Sequence, residues 1–191
     1  MIEEISVSEM AETVRSVLEF IDGEAVESTM ALIMGTAAAE SDFRYLRQMG
    51  YDPILSPLQE ESTADVGGAF GYTQVEIGTA MDMLTNWHRM NKFEGQYYSA
   101  FRYFLGEDLF INTEEFILPS KVAIGWALQH RPLFSVAVCR LVYKRKPGAI
   151  PQDWQGRAEY WKEHYNTVYG AGTPDKFLAA CEKHDLFVLY E

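Results

Sequence analysis

Hydrophobic positions recur at helical spacing through most of the chain. After Ser6, apolar side chains fall three and four residues apart as far as Asp22-Gly23, and Ser6 with Glu9 makes a capping-box pattern at the start. This spacing predicts a first amphipathic helix. From 24 to 39 nearly every position is apolar or small, which predicts a second helix that other helices surround on all faces.

The remainder of the chain also favours helices, interrupted by one long loop. Prolines, glycines and an acidic run mark 51–67 as a surface loop, and a short hairpin is predicted over 68–75. Further helices are predicted over about 76–90, 92–105, 119–129, 132–144, 153–169 and from 174 onward. We therefore expect a mainly α fold with at most a small β-hairpin.

Composition narrows the class of protein. The 191 residues are 48% hydrophobic and 23% charged, as in an ordinary globular domain, so we expect one domain over 1–191. A net charge of -12 disfavours nucleic acid as a partner, because both surfaces would be negative. No segment reaches the ~18 unbroken apolar residues of a membrane span, and the first residues lack a signal-peptide pattern. We expect a product made in the cytoplasm.

The residue types that bind metals and cofactors are present without the spacing that such sites need. Cys139 and Cys181 lie in apolar stretches with no Cys or His partner at ligand spacing, which favours two buried thiols. The histidines show no i,i+4 pair, and no glycine-rich phosphate loop is present. We therefore expect neither a metal nor a cofactor.

Glu40 is the most informative position for chemistry. It closes the apolar run 34–39, just where the buried helix is predicted to end. Partial burial there raises a carboxyl pKa by disfavouring the charged form, and a general acid working near neutral pH needs such a shift. The alternative is that Glu40 reaches solvent or pairs with Arg44 one helical turn later.

Two motifs around Glu40 carry a resemblance to a known family. Residues 39–43 read Ala-Glu-Ser-Asp-Phe, and residues 68–80 read Gly-Ala-Phe-Gly-Tyr-Thr-Gln-Val-Glu-Ile-Gly-Thr-Ala. Both resemble the motifs of the lytic transglycosylase domain of the lysozyme-like superfamily, and Tyr165-Asn166 is similar to its late Ala-Tyr-Asn segment. The resemblance covers about 25–170 and implies a single-domain, all-helical lysozyme-like fold with a substrate cleft.

The resemblance also implies an activity. Glu40 would be the catalytic acid and base that cleaves the β-1,4 bond between N-acetylmuramic acid (MurNAc) and N-acetylglucosamine (GlcNAc) in peptidoglycan glycan strands. The muramoyl 6-hydroxyl would attack and leave a 1,6-anhydro product, so a second carboxylate is dispensable. Substrate-binding or supporting roles would fall to Ser41, Gly68, Ala69, Gly71, Gln74, Tyr165 and Asn166.

In this interpretation each of these residues has a place. Gln74 would line the cleft beside Glu40. Tyr165 would face Glu40 across the cleft, with its hydroxyl able to orient Glu40 or the sugar. The small residues Gly68, Ala69 and Gly71 would let the backbone approach the sugar closely. Ser41 would cap or orient the end of the Glu40 helix.

The chain resembles bacteriophage members of the superfamily more than secreted bacterial ones. The lack of a signal-peptide pattern and the Tyr-Trp-Lys-x-His-Tyr-Asn-Thr segment from residue 160 carry this inference. It implies a virion component, or a protein released to the cell wall at lysis, with other virion proteins as further partners.

Departures from the family pattern leave two alternatives open. Ile77 stands where the family usually has Pro, Thr73 where Met is common, and the loop 51–67 is enlarged and could cover the cleft. One alternative is a structural virion protein that kept the lysozyme-like fold without catalysis. The other is a lysozyme-type hydrolase that uses water, with a second carboxylate from one of three candidates, Asp42, Asp65 and Glu76.

Overall fold

Helices make up most of the chain that the structure describes. The structure is a computed structural model that describes residues 4–44, 47, 54, 56, 68–90, 96–109, 111–112, 117–167 and 170–190. Within these ranges the α-helices are α1 Val7–Asp22, α2 Glu27–Ser41, α3 Ile77–Met90, α4 Gln96–Leu105, α5 Lys121–His130, α6 Pro132–Lys144, α7 Trp154–Trp161, α8 Pro174–Lys183 and α9 Leu186–Leu189. The predicted mainly α class is confirmed.

The first helix begins and ends where the sequence predicts. Ser6 accepts a hydrogen bond from the backbone N–H of Glu9, and the Glu9 side chain accepts one from the Ser6 backbone, which completes the capping box. Gly23 ends the helix in the left-handed conformation with φ of 82°. Met10, Val14, Val17, Leu18 and Ile21 form its buried face, as predicted.

The second helix is buried on all sides, in agreement with its unbroken apolar pattern. It packs against α1, α6, α7, α8 and α9. Gly35 lies where α8 comes closest, because a Cβ atom there would stand 2.3 Å from Cζ of the buried Phe177 ring. The helix ends at Ser41, and the two residues that follow, Asp42 and Phe43, both have φ of 56° in the left-handed region.

Two short antiparallel strand pairs lie between the helices. The predicted hairpin pairs β1 (Ala69–Phe70) with β2 (Val75–Glu76) in the register Ala69 to Glu76 and Phe70 to Val75. A second pair, β3 (Ile111–Asn112) with β4 (Ile117–Leu118), follows α4 and a 3-10 turn. The expectation of at most one small hairpin is therefore too low.

Half-buried ion pairs join α1 to α6. Pro132 occupies the first turn of α6, as the sequence predicts. Toward the other end of the helix, Arg140 Nε and Lys144 Nζ lie 2.7 Å and 2.6 Å from the two carboxylate oxygens of Asp22. Asp22 is the last residue of α1, so these contacts fix the end of α1 against the last turns of α6.

The predicted helix 153–169 is shorter and less regular than expected. Asp153 caps α7 by accepting from the Gly156 backbone N–H, and the regular helix ends at Trp161. The chain continues as a π-helix over Lys162–Asn166 and leaves it at Thr167, whose φ is 60°. A π-helix follows no side-chain spacing that would set it apart in sequence from an α-helix.

Buried hydrophobic side chains from α1 to α9 form one cluster, which also takes in the hairpin through Phe70 and Val75. Among the described residues, none of the helices combines the length and apolar character that crossing a bilayer requires.

The close approach at Gly35 gives a test of this packing. We expect Gly35→Ala to lower the free energy of unfolding by about 1–3 kcal/mol, because the methyl group overpacks against the Phe177 ring. The matched control is Gly78→Ala in the first turn of α3, where a Cβ meets nothing within 4 Å. That control should be neutral or more stable by up to about 1 kcal/mol. Chemical denaturation measures both, and an unchanged Gly35→Ala variant would refute the packing at this contact.

Candidate functional site

The end of α2 delivers Glu40 to the edge of the core. Residues 28–38 of the helix are buried, and Ala39 and Glu40 are half-buried. Ser41 is buried again, and its hydroxyl donates to the Ala37 carbonyl at 3.0 Å. Ser41 therefore supports the helix end from inside the protein.

Two N–H donors converge on one oxygen of Glu40. The indole Nε1 of Trp161 donates to Glu40 Oε1 at 3.2 Å, and Nδ2 of Asn166 donates to the same oxygen at 3.5 Å. Trp161 is itself almost fully buried. The last residue of α7 and the last residue of the π-helix thus hold the carboxyl group from one side.

Burial raises the pKa of Glu40 from the ordinary 4.5 to about 7. The hydrogen bonds from Asn166 and Trp161 and the positive charge of Lys162 favour the carboxylate, and so limit this rise. A carboxyl group with this pKa is protonated about half of the time at neutral pH. It can therefore both give and take a proton there.

The two donors also determine which oxygen carries the proton. Indole and amide N–H groups can only donate, and the carbonyl oxygen of a neutral carboxylic acid is its stronger acceptor. Because both donors meet Oε1, the acid proton belongs on Oε2. Oε2 is then the oxygen that can donate to a bound molecule.

The hairpin after residue 68 is fixed to α6 and to the π-helix through Thr73. The buried Thr73 hydroxyl donates to the Ser135 carbonyl at 3.1 Å and lies 2.9 Å from the Ser135 hydroxyl. The Tyr165 hydroxyl donates to the Thr73 carbonyl at 2.8 Å. These contacts bring the second motif and the late Tyr-Asn segment to the same part of the fold as Glu40.

Tyr165 is directed toward the hairpin. Its ring stacks on Tyr143 with centroids 5.2 Å apart, and burial raises its pKa well above the ordinary value. Its hydroxyl proton goes to the Thr73 carbonyl rather than to Glu40. Tyr165 therefore links two parts of the site, whereas the sequence interpretation had its hydroxyl orient Glu40 or the sugar.

Gly71 of the second motif makes room for neighbouring protein atoms. Gly71 has φ of 78°, and a Cβ there would lie 2.3 Å from the Leu128 carbonyl oxygen and 2.4 Å from Ser135 Oγ. Gly71 is thus required by its close approach to α5 and α6. Gly68 also has a left-handed φ of 95°, and Ala69 is buried.

Gln74 is half-buried at the end of the hairpin turn, with φ of 48°. Its side-chain Nε2 donates to the Gly71 carbonyl at 2.8 Å and so closes the turn on itself. The turn 71–74 and its partner Ser135 thus form one hydrogen-bonded unit.

The structure describes two of the three candidates for a second carboxylate, Asp42 and Glu76. Asp42 is held by Lys183 Nζ at 2.6 Å and His184 Nε2 at 2.7 Å, at the end of α8. Burial raises the pKa of Asp42, but the hydrogen bonds and charges of Lys183 and His184 outweigh it and hold the pKa below its ordinary value. Glu76 is exposed and lines a depression of about 480 Å³ between α3 and α6. Asp65 lies outside the described residues.

Most of the loop 51–67 also lies outside the described residues. Its described residue Ile54 is buried against α5, where its backbone N–H donates to Gln129 Oε1 at 3.2 Å. Within the described ranges, the acidic, histidine and cysteine side chains form no cluster of three that could bind a metal ion.

Comparison with known proteins gives no match. No family model, no curated protein and no solved structure is similar to the chain at a significant level. The geometry of the site is therefore the basis for the function proposed below.

Trp161 and Lys162 are the site residues that sequence reasoning missed. Trp161 is buried in the structure, and its indole N–H donates to Glu40. The two residues are 121 positions apart. No local pattern could have paired them, although Trp161 lies in the weakly matching segment that ends in Tyr165-Asn166.

The raised pKa of Glu40 predicts a pH-dependent stability. The folded state keeps this proton up to about pH 7, whereas the unfolded chain loses it near 4.5, so the free energy of unfolding falls as the pH rises between these values. We expect Glu40→Gln to remove this fall and to be more stable than the wild type by up to about 3 kcal/mol above pH 7, with no gain below pH 4. Urea denaturation across pH 4–8 measures it.

Asp42→Asn is the control of opposite sign. In the wild type the pKa of Asp42 is lowered on folding, so the Asp42 carboxylate stabilises the fold at pH values above the ordinary carboxyl pKa. This stabilisation is lost as the pH falls. The Asn variant should therefore be less stable than the wild type at neutral pH and should approach it in acid. A Glu40→Gln variant whose pH dependence matches the wild type would refute the burial argument.

Proposed function

We propose that the chain is a lysozyme-like lytic transglycosylase that cleaves the β-1,4 bond between MurNAc and GlcNAc in peptidoglycan. The observation that carries the proposal is the carboxyl group of Glu40, half-buried at the end of a buried helix, with a pKa of about 7. Such a group is suited to donate a proton and then to accept one at the same pH.

The convergence of the three motif segments supports the proposal. Glu40 of the first motif is hydrogen-bonded by Asn166 of the late segment, and Tyr165 beside it is hydrogen-bonded to Thr73 of the second motif. These segments are far apart in sequence, and the hydrogen bonds between them in the fold are a physical reason for all three to occur in one chain.

The first chemical step uses Glu40 as an acid. Oε2 donates its proton to the glycosidic oxygen, the bond from the anomeric carbon of MurNAc to that oxygen breaks, and GlcNAc leaves with a new hydroxyl group. Trp161 and Asn166 stabilise the carboxylate that forms, because their N–H groups already donate to Oε1.

The second step uses the same carboxylate as a base. Glu40 takes the proton of the muramoyl 6-hydroxyl while that oxygen bonds to the anomeric carbon, which gives the 1,6-anhydro sugar and restores the acid. No water is consumed and no second carboxylate is needed. Among the described candidates for a second carboxylate, Asp42 is paired with Lys183 and His184, and Glu76 is exposed beside a depression between α3 and α6, which favours this route over hydrolysis.

The proposal extends to a bacteriophage origin and a virion-associated or lytic role. It rests there on the resemblance of the segment around Tyr165-Asn166 to phage members of the superfamily. The wall glycan strand is then the substrate, and other virion proteins are further partners.

Digestion of purified peptidoglycan tests the activity. We expect the wild type to release anhydro-muropeptides, with a rate that falls above about pH 7 as Glu40 loses its proton. Glu40→Gln should be slower by at least about 100-fold, because the amide keeps the acceptor oxygen but cannot donate and accept the proton. Mass spectrometry of the released fragments, with and without borohydride reduction, measures product and rate.

The control is Glu12→Gln, which removes an exposed carboxylate on α1 and should leave the activity unchanged. Reducing ends in place of anhydro ends would contradict the transglycosylase and point to water as the nucleophile. Loss of those reducing ends in Glu76→Gln or Asp65→Asn would then name the second carboxylate. Absence of any product across salt and pH would favour the non-catalytic virion protein.

A further inference from the structure

The ammonium group of Lys162 has a full set of oxygen partners at the turn that follows the π-helix. Its Nζ donates to Asn166 Oδ1 at 3.0 Å, to the Thr167 carbonyl at 2.6 Å and to the Gly170 carbonyl at 3.0 Å. An ammonium group has three protons, so all of them are used. The side chain is half-buried and bridges the end of the π-helix to the turn before α8.

Lys162 and Gly172 together fix the orientation of the Asn166 amide. Oδ1 of Asn166 accepts from Lys162 Nζ and from the Gly172 backbone N–H at 3.1 Å. Both of these groups can only donate, so a flipped amide would place its NH₂ group against two donors. The NH₂ group therefore has to face Glu40 Oε1.

We infer that Lys162 is a positioning residue for Glu40: by holding the Asn166 amide it keeps an N–H donor on Oε1, so that the acid proton stays on Oε2. This inference rests on the proposed function, in which Oε2 is the oxygen that donates to the glycosidic bond.

The surrounding backbone is shaped to this contact. Thr167 has φ of 60° and ψ of 178°, a combination that is costly for a residue with a side chain. A Cβ atom on Gly170 would stand 2.3 Å from Asn166 Oδ1, and one on Gly172 would stand 2.3 Å from the Trp161 ring. The turn thus lies directly against both donors of Glu40, and Lys162 binds two of its carbonyls.

Among the described residues, the other titratable side chains that sense the Glu40 charge lie on α6 and the π-helix. Cys139 and Tyr143 of α6 and Tyr165 of the π-helix sense the Glu40 charge, and burial raises all three pKa values, that of Cys139 to about 12. These groups are therefore uncharged near pH 7. Lys183 at the end of α8 and His184 directly after it are both in contact with the Asp42 carboxylate. Lys162 is thus the charge within the described chain that acts on Glu40.

Lys162→Met tests the inference, with two readouts. The substitution removes the charge and one of the two donors that hold the Asn166 amide, and both changes disfavour the Glu40 carboxylate. We expect the titration midpoint of Glu40, measured from its carboxyl ¹³C resonance, to move to higher pH. The alkaline limb of the peptidoglycan-cleavage rate should move in the same direction, and the maximal rate should fall by about 10-fold.

Three further variants make the result specific. Lys162→Arg keeps the charge and the donors and should restore most of both readouts. Lys162→Gln should lie between the wild type and Lys162→Met, and it replaces the Met variant if that variant folds poorly. Lys176→Met is the matched control, because within the described chain Lys176 Nζ donates to the Ala171 carbonyl of the same turn and not to Asn166. It should leave both readouts unchanged.

The outcomes separate this inference from the proposed function. If the protein shows no glycan cleavage but the Glu40 titration shifts in Lys162→Met, the proposed activity is refuted and the positioning role of Lys162 stands. An active wild type whose Glu40 titration and rate profile are the same in Lys162→Met and Lys162→Gln overturns the positioning role.

Discussion

A carboxyl group at the end of a buried helix has to be either protonated or stabilised by hydrogen bonds, and the site depends on how the chain meets this constraint. Helix α2 is enclosed by five other helices, and its penultimate residue lies against the end of α7 and the π-helix. The fold supplies two N–H donors to one oxygen and one nearby cation, which is less than full compensation. The carboxyl group therefore keeps its proton to an unusually high pH.

The same constraint explains the irregular backbone around the site. The left-handed residues Asp42 and Phe43 end α2, and the π-helix and Thr167 end the segment that faces it. A regular helix through 153–169 would present its side chains at a different angle from the one that places Trp161 and Asn166 on Oε1. Burial of Glu40 and the strained backbone residues both lower the stability of the fold. The proposed acid and base chemistry requires both features.

Much of the fold could be predicted because it follows from local pattern. The Ser6 and Glu9 capping box, the apolar run of α2 and the prolines that begin α6 and α8 each mark an element that the structure contains. The link from Thr73 to Ser135 could not be predicted, because its two residues are 62 positions apart in sequence. The π-helix has no side-chain spacing of its own, and the strands β3 and β4, of two residues each, are too short to show an alternating pattern. Glu40 was identified as the central residue from its position after an apolar run, whereas its donor Trp161 is visible only in three dimensions.

The central claim is that burial against the end of α7 and the π-helix keeps Glu40 protonated near neutral pH. Its most direct test is the titration of the Glu40 carboxyl ¹³C resonance in the wild type, with Glu40→Gln used to assign the signal. The account predicts a midpoint of about 7. A midpoint near the ordinary 4.5 would contradict it, because Glu40 would then be an ordinary carboxylate with no proton to donate at neutral pH.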